Sequence, residues 1–386
     1  MSPLTESIAS RIIDQKYVDF IEACYRCHCG CCKDGCPIYG TMLEEQISAR
    51  GRNSIIRAYL MGVVEPDSRM ARAMYSCLLC RLDEESCGAR IPNAEIYERM
   101  REHLFSLGFG PLPEHEPLLA SLRNYGNPWM QPKSARERWA KQAKVDSKKR
   151  GKDLYFAGCT FSLAPEIASV PVAVMRLLAM SGEKFAMMGK DELCCGSTAL
   201  RVGDRKLFEE LSAKNAKKLS KYDRVVTSCA GCYKTMSQDY KGKDAPGKLL
   251  HSTELLSQLV KSGKLRPKEV KAKVTYHDPC HLGRHSKLYD PPREIIRSIP
   301  GIEFVEMRNS RELARCCGAG AGVKTANPQV SLEIAKRRIE EALQTGAGIL
   351  LSACPFCEQN LKEAAAALGG KIRVMDVSEL LLESCE

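Results

Sequence analysis

One pattern of cysteines constrains this chain more than any other feature. Cys159 is followed by Cys194-Cys195-Gly196 and then by Cys229-Ala-Gly-Cys232. The pattern returns as Cys280, Cys316-Cys317-Gly318 and Cys354-Pro-Phe-Cys357. The intervals are 34 and 33 residues in the first copy and 35 and 36 in the second, so the chain is internally duplicated. Short apolar runs lead into the cysteines: Asp153–Ala157, Arg224–Thr227, Val274–His277 and Gly348–Ser352 read as buried strands. Glu166–Met180, Lys206–Ser220 and Gln329–Thr345 carry helical periodicity, with Val330, Ile334, Ile339 and Leu343 on one face of the last. Alternating strands and helices with cysteines at the strand ends describe open α/β sheets, whose strand-end loops carry the sites. Two similar α/β units, packed as a pseudo-two-fold pair, are expected.

The chain has 20 cysteines in 386 residues. Disulfide frameworks belong to small secreted chains, and the opening MSPLTESIASRIIDQK lacks the apolar core of a secretory signal. The longest apolar stretch, Ala168 to Met180, is interrupted by Arg176 and is too short to span a membrane. The expectation is metal ligation in a reducing, cytoplasmic compartment, with membrane association only through a partner. Five thiolates exceed the four ligands of a zinc site or a cubic four-iron cluster. Either one cysteine is idle, or an opened cluster uses all five, with the adjacent pair reaching two irons. Glycines behind each pair (Gly196; Gly318, Gly320, Gly322) leave room for backbone N–H groups near sulfur.

The net charge is +11. Much of it lies between Lys133 and Lys152, where nine basic residues face only Glu137 and Asp146. This run reads as a solvated linker, with docking of an acidic partner as the sharper alternative. Two Trp and no basic-plus-aromatic module leave nucleic acid out of the expected partners. Pro111, Pro113, Pro117, Pro128 and Pro132 mark a boundary. The division is residues 1–110 (with nine of the cysteines), 111–152 (Pro-rich and basic linker), 153–265 (first α/β unit) and 266–386 (second).

Bacterial ferredoxin motifs run C-x2-C-x2-C-x3-C-P, the fourth cysteine serving the other cluster. Cys29, Cys32 and Cys36-Pro37 keep that register, while Arg26 stands in the first place. The missing ligand must come from Cys24, Cys27 or Cys31. Cys24, Cys27 and Cys32 are the preferred set, with Cys29 next. The second motif is Cys77, Cys80, Asp83 and Cys87, with Asp83 in the third ligand's place. By the exchange rule Cys87 joins the first cluster, and Cys36 joins Cys77 and Cys80. Asp83 is then an oxygen ligand to a labile iron, since a hard carboxylate suits a soft site poorly, or a bystander beside a cluster that is [3Fe-4S] or draws on a spare thiol of the first loop. Helices are expected over residues 5–23 and 43–61. His277, His281 and His285 flank Cys280; His277 and His281 are candidate proton donors. Cys385 lies outside every motif.

The duplicated cysteine pattern, with Tyr276-His-Asp-Pro-Cys-His-Leu-Gly-Arg284, Cys316-Cys-Gly-Ala-Gly-Ala-Gly-Val-Lys324 and Ala353-Cys-Pro-Phe-Cys357, resembles the CCG-domain family, whose best-known members are heterodisulfide reductase subunits. The N-terminal half resembles the family's ferredoxin-like subunit, and the fused arrangement resembles the D type. The resemblance implies an α + α/β fold: a helical ferredoxin-like domain followed by two pseudo-symmetric α/β CCG domains. It implies two N-terminal [4Fe-4S] clusters. It also implies two noncubane [4Fe-4S] clusters, one on Cys159, Cys194, Cys195, Cys229 and Cys232, the other on Cys280, Cys316, Cys317, Cys354 and Cys357. The implied function is reduction of a small disulfide within an anaerobic complex. The alternative is an electron relay for a flavoprotein, a hydrogenase-like subunit or a membrane cytochrome subunit.

Overall fold

The computed structural model describes residues 12–143, 151–242 and 247–386. It contains two four-stranded, all-parallel sheets. The first comprises β1 (Asp153–Phe156), β2 (Phe185–Ala186), β3 (Arg224–Thr227) and β4 (Lys248–His251), in the order β2-β1-β3-β4. The second comprises β5 (Ala272–Tyr276), β6 (Ile302–Phe304), β7 (Ile349–Ser352) and β8 (Arg373–Asp376), in the matching order β6-β5-β7-β8. Parallel strands covered on both faces need continuous apolar runs, and Leu154-Tyr155-Phe156, Val225-Val226 and Leu350-Leu351 are all buried. In each sheet the strand order reverses between the two central strands. Cys159 and Cys229 follow β1 and β3; Cys280 and Cys354 follow β5 and β7. Each cysteine set therefore opens at a topological switch point.

The expected strands and helices fall within a few residues of these elements. The helices are Ser169–Met180, Arg205–Leu219 and Pro328–Leu343, and side chains of Asp204 and Asn327 cap the last two. The edge strands β2, β4, β6 and β8 go beyond the expectation; they are two to four residues long, and β4 and β8 begin on charged residues. The two units pack through a reciprocal exchange. Helix Ser252–Lys261, after β4, lies on Asp290–Ser298 of the second unit; helix Val377–Cys385, after β8, lies on Ser169–Met180 of the first. Both exchanged helices begin with a capping box, His251 with Glu254 and Asp376 with Glu379.

The N-terminal part is helical. Gln15–Arg26 buries Tyr17, Val18, Ile21 and Cys24; the helix Ala49–Leu60 starts at Ser48, whose hydroxyl accepts from the Gly51 N–H. The expected first helix reaches into residues outside those described. The stretch read as a linker carries Glu116–Tyr125, a short turn Lys133–Glu137 and Arg138–Ala143 before residues 144–150, which lie outside the described residues. Trp139 is buried against Tyr155 of β1, ring edge to ring face, and Arg136 is buried as well. So the solvated reading describes Lys133, Arg138 and Lys141, which are exposed, but not Ala135, Arg136, Trp139 and Ala143, which are buried.

Arg101 ties the three parts together. Its buried guanidinium donates to the carbonyls of Met74 (2.8 Å) and Cys77 (2.6 Å), to Arg201 O of the first unit (2.8 Å) and to Ala321 O of the second (3.0 Å). The second unit meets the N-terminal part through a glycine loop: a β-carbon on Gly320 would stand 3.0 Å from Leu78 O, and one on Gly322, at φ +84°, 2.7 Å from His115 Nε2. Among the described residues no helix is long and apolar enough to cross a membrane.

Two outcomes follow. Arg101→Met removes the side-chain donor from four carbonyls, of which only Met74 O keeps a further donor, the Cys77 N–H, and should cost roughly 3–5 kcal/mol in anaerobic denaturant unfolding. Burial pushes the Asp376 carboxyl from 3.8 up to about 7. A raised folded-state value means stability is complete below the unfolded value and declines as pH rises through about 7. Asp376→Asn keeps the capping oxygen without ionising, so it should gain on the wild type across that window, by roughly 4 kcal/mol at most.

Candidate functional site

The ten cysteines of the two repeats are buried and free, and all of them line one cavity of about 380 Å³ between the α/β units. Within the first set the thiols contact one another in the order Cys159, Cys194, Cys195, Cys232, Cys229. The second set repeats this as Cys280, Cys316, Cys317, Cys357, Cys354. In each set the second member of the adjacent pair is the thiol held acidic. Hydrogen bonds from Cys194 and Cys232 bring Cys195 down to about 6, and those from Cys316 and Cys357 hold Cys317 well below the usual thiol range. Backbone N–H groups reach sulfur at Cys194 (from Gly196, 3.5 Å) and Cys229 (from Cys232, 3.3 Å). Five soft donors turned toward one space, with N–H groups behind them, fit an iron–sulfur cluster.

The two sets differ in their surroundings. Arg136 donates to Cys159 Sγ at 3.0 Å and pairs with Glu192 at 2.9 Å; Glu192 in turn accepts from the N–H groups of Ala157 and Gly158. Sequence reasoning placed Arg136 in a solvated run; only its neighbours Ala135 and Trp139, both apolar, hinted otherwise. At the second set, His277 meets Cys317 and Cys357, and His281 Nδ1 lies 3.4 Å from Cys280 Sγ. His281 reaches the cavity and stacks on His285, with centroids 4.5 Å apart and rings 2° from parallel. Burial holds both rings well below the usual imidazole range.

The N-terminal cysteines divide into two groups. Cys24, Cys27, Cys29, Cys32 and Cys87 surround one small cavity. Cys27 and Cys29 sulfurs lie 3.2 Å apart there; Cys29 and Cys31 are both exposed, and Cys31 does not line the cavity. Cys36, Cys77 and Cys80 gather around Asp83, a charge neighbour of all three. Burial pushes Cys36 up to about 12 and Cys77 up to about 11. Burial also raises the Asp83 carboxyl, whose Oδ2 accepts from Asn93 at 2.8 Å. Arg52, fully buried, lies against this group, with Nε on Ala73 O (2.7 Å) and Nη2 on Ser76 Oγ (2.8 Å). The two halves meet at sulfur: the Cys80 thiol is hydrogen bonded with Cys316. Arg284 of the second unit clamps this junction through Cys80 O (2.6 Å), and His285 through Leu79 O (2.9 Å). Cys385 ends the last helix, away from every group.

A cysteine-rich domain family, CCG, matches residues 154–237 and 274–362. Over its full length the chain is 34% identical to the D-type subunit of the dihydromethanophenazine:CoB--CoM heterodisulfide reductase of Methanosarcina barkeri, covering 98% of that protein. It is 32% identical to the probable iron-sulfur-binding oxidoreductase FadF of Bacillus subtilis across 81% of this chain and 46% of that protein. The EtfAB:quinone oxidoreductase of Syntrophomonas wolfei is 26% identical across 95% of this chain and 58% of that protein.

The placement of Asp83 beside three thiols generates a direct test. Asp83→Cys should retain four irons at this group through mild oxidation, whereas the wild type should pass to a three-iron EPR signal. Identical spectra for Asp83→Cys, Asp83→Ala and wild type would leave the carboxylate as a partner of Asn93 only.

Proposed function

Because this chain belongs to the family of D-type heterodisulfide reductase subunits, we propose that it is the iron–sulfur subunit of a multi-subunit redox complex and cleaves a small disulfide in the cavity between its α/β units. The shared cavity carries this reading, since all ten repeat thiols open into it. Cleaving a disulfide takes two electrons and two protons and releases two thiols. Two one-electron sites facing one chamber meet that count.

Each five-cysteine set would hold a noncubane [4Fe-4S] cluster. Cys24, Cys27, Cys32 and Cys87, with Cys29 beside them, would hold one N-terminal cluster; Cys36, Cys77, Cys80 and Asp83 would hold the other. Bound there, the clusters supply one-electron transfer. The four groups would then form a row. Asp83 is a charge neighbour of Cys32 as well as of Cys36, Cys77 and Cys80, and Cys80 touches Cys316. The second set is thus nearer the N-terminal groups and the first set is terminal. His281, neutral in its buried setting, would relay a proton at the cavity wall by giving up one ring N–H as its other nitrogen takes a proton up, and His285 behind it lines a separate charged cleft that holds Glu95, Glu98 and Glu102 together with Arg99, Arg205 and Lys234. The electron source would be a partner subunit: a flavoprotein, a hydrogenase-like protein or a membrane cytochrome. A relay with no substrate of its own is the second reading, favoured by likeness to an EtfAB:quinone oxidoreductase, whose name includes no disulfide.

Anaerobic protein should contain about 16 irons and about 16 acid-labile sulfides per chain. Cys317→Ser should stop reduction of both C-terminal sets. Cys195→Ser should leave the second set reducible yet abolish thiol release from a disulfide, and the double variant should be no worse than either single one. EPR of the reduced protein and a thiol assay read both effects. Undiminished electron transfer to an added acceptor in Cys195→Ser, with no disulfide perturbing any signal in the wild type, would establish the relay.

A further inference from the structure

The two cysteine sets occupy matching places in the two units, and one of the differences behind their sulfurs is at the end of the first strand of each unit. His277 stands three residues before Cys280, and Phe156 stands three residues before Cys159. Both side chains are fully buried at the ends of equivalent strands, β5 and β1. A ring nitrogen of His277 and the sulfurs of Cys317 and Cys357 all lie within 4.8 Å of one another.

The far side of the imidazole is fixed by chemistry. Arg338 Nε lies 3.1 Å from His277 Nδ1. A guanidinium has only donors and does not lose its proton in proteins, so Nδ1 must accept. The ring proton therefore sits on Nε2, which has no partner among the protein's nitrogen and oxygen atoms and is left to the thiols. Arg338 cannot swing away easily: it is fully buried, with Nη1 on Glu341 Oε2 (2.7 Å) and Asn309 O (3.0 Å). Glu341 is held in turn by the backbone and side-chain N–H groups of Asn309.

We infer that His277 is a positioning residue whose tautomer is locked by Arg338, so that it presents a permanent Nε2–H to the Cys317 sulfur and tunes the second set independently of the first. A sulfur that accepts a hydrogen bond donates less charge to iron, which favours the reduced state and raises the potential. In the first set Phe156, at the equivalent place, offers Cys195 no side-chain donor, and the Arg136 guanidinium acts on Cys159 instead. The inference rests on the reading that the Cys317 set holds an iron–sulfur cluster.

The test compares wild type, His277→Phe and His277→Gln, purified anaerobically with isotopically labelled histidine, by EPR-monitored redox titration and by pulsed EPR of histidine nitrogen coupling. His277→Phe should keep its iron, shift one C-terminal signal to lower potential and lose a weak nitrogen coupling. His277→Gln, whose amide places an N–H near the same point, should titrate between the two, and it decides the matter if the phenylalanine variant loses iron. Unchanged potentials in the iron-replete variants overturn the inference, as does a nitrogen coupling of iron-bound strength. A wild type without any C-terminal cluster signal overturns the underlying reading as well, and that result is recognised before any substitution is made.

Discussion

A buried arginine at the meeting point of three structural parts is the constraint on which the rest depends. Arg101 directs its donors at carbonyls of the helical part and of both α/β units. Those carbonyls belong to segments next to sulfur: Cys77 itself, and Ala321 five residues after Cys316. Similar roles fall to Arg52, Arg136 and Arg284, each buried and each facing thiols. Thiolates holding iron carry net negative charge in a dry interior, where an uncompensated charge is costly. Arginine suits this place because it cannot shed its proton and can satisfy several acceptors at once. The compensation thus comes from within, and the net charge of +11 says little about it.

The sheets explain why the thiols converge. A strand order that reverses between the central strands leaves a crevice at their carboxyl ends, and here each crevice is walled by three loops that carry five cysteines. The pseudo-two-fold packing turns the two crevices toward one chamber. The N-terminal part then breaks the symmetry. It touches the second set through Cys80 and leaves the first set to Arg136, so nearly equivalent ligand sets acquire unlike neighbours.

Much of this was legible in the residues, and the limits have physical causes. The duplication, the central strands and the long helices follow from cysteine spacing and periodicity. The edge strands are too short for a period-two signal, and Arg373 at the start of β8 or Lys248 at the start of β4 masks the apolar residues behind it. Arg136 and Trp139 looked like part of a basic tether because local composition does not show what a segment packs against. The histidines near Cys280 were visible as candidates, but His277 gains its meaning from Arg338, 61 residues later, and no spacing rule joins them. Ligand choice in the first loop stayed open on sequence grounds. In the fold Cys31 stands outside the cavity that the other first-loop cysteines line, while Cys27 and Cys29 share one corner of it.

The reciprocal helix exchange has a consequence for ancestry. The contact is isologous in form: the helix after the fourth strand of each unit lies on the helix after the first strand of the other. An interface of that kind is what a homodimer of a single unit would use. In a homodimer every residue appears twice, so any donor placed behind one cysteine pair stands behind both. Fusion into one chain removes that bond between the copies. Phe156 and His277, at equivalent strand ends, show what the separated copies can then do: one chemical environment can drift from its twin while the two still share one chamber.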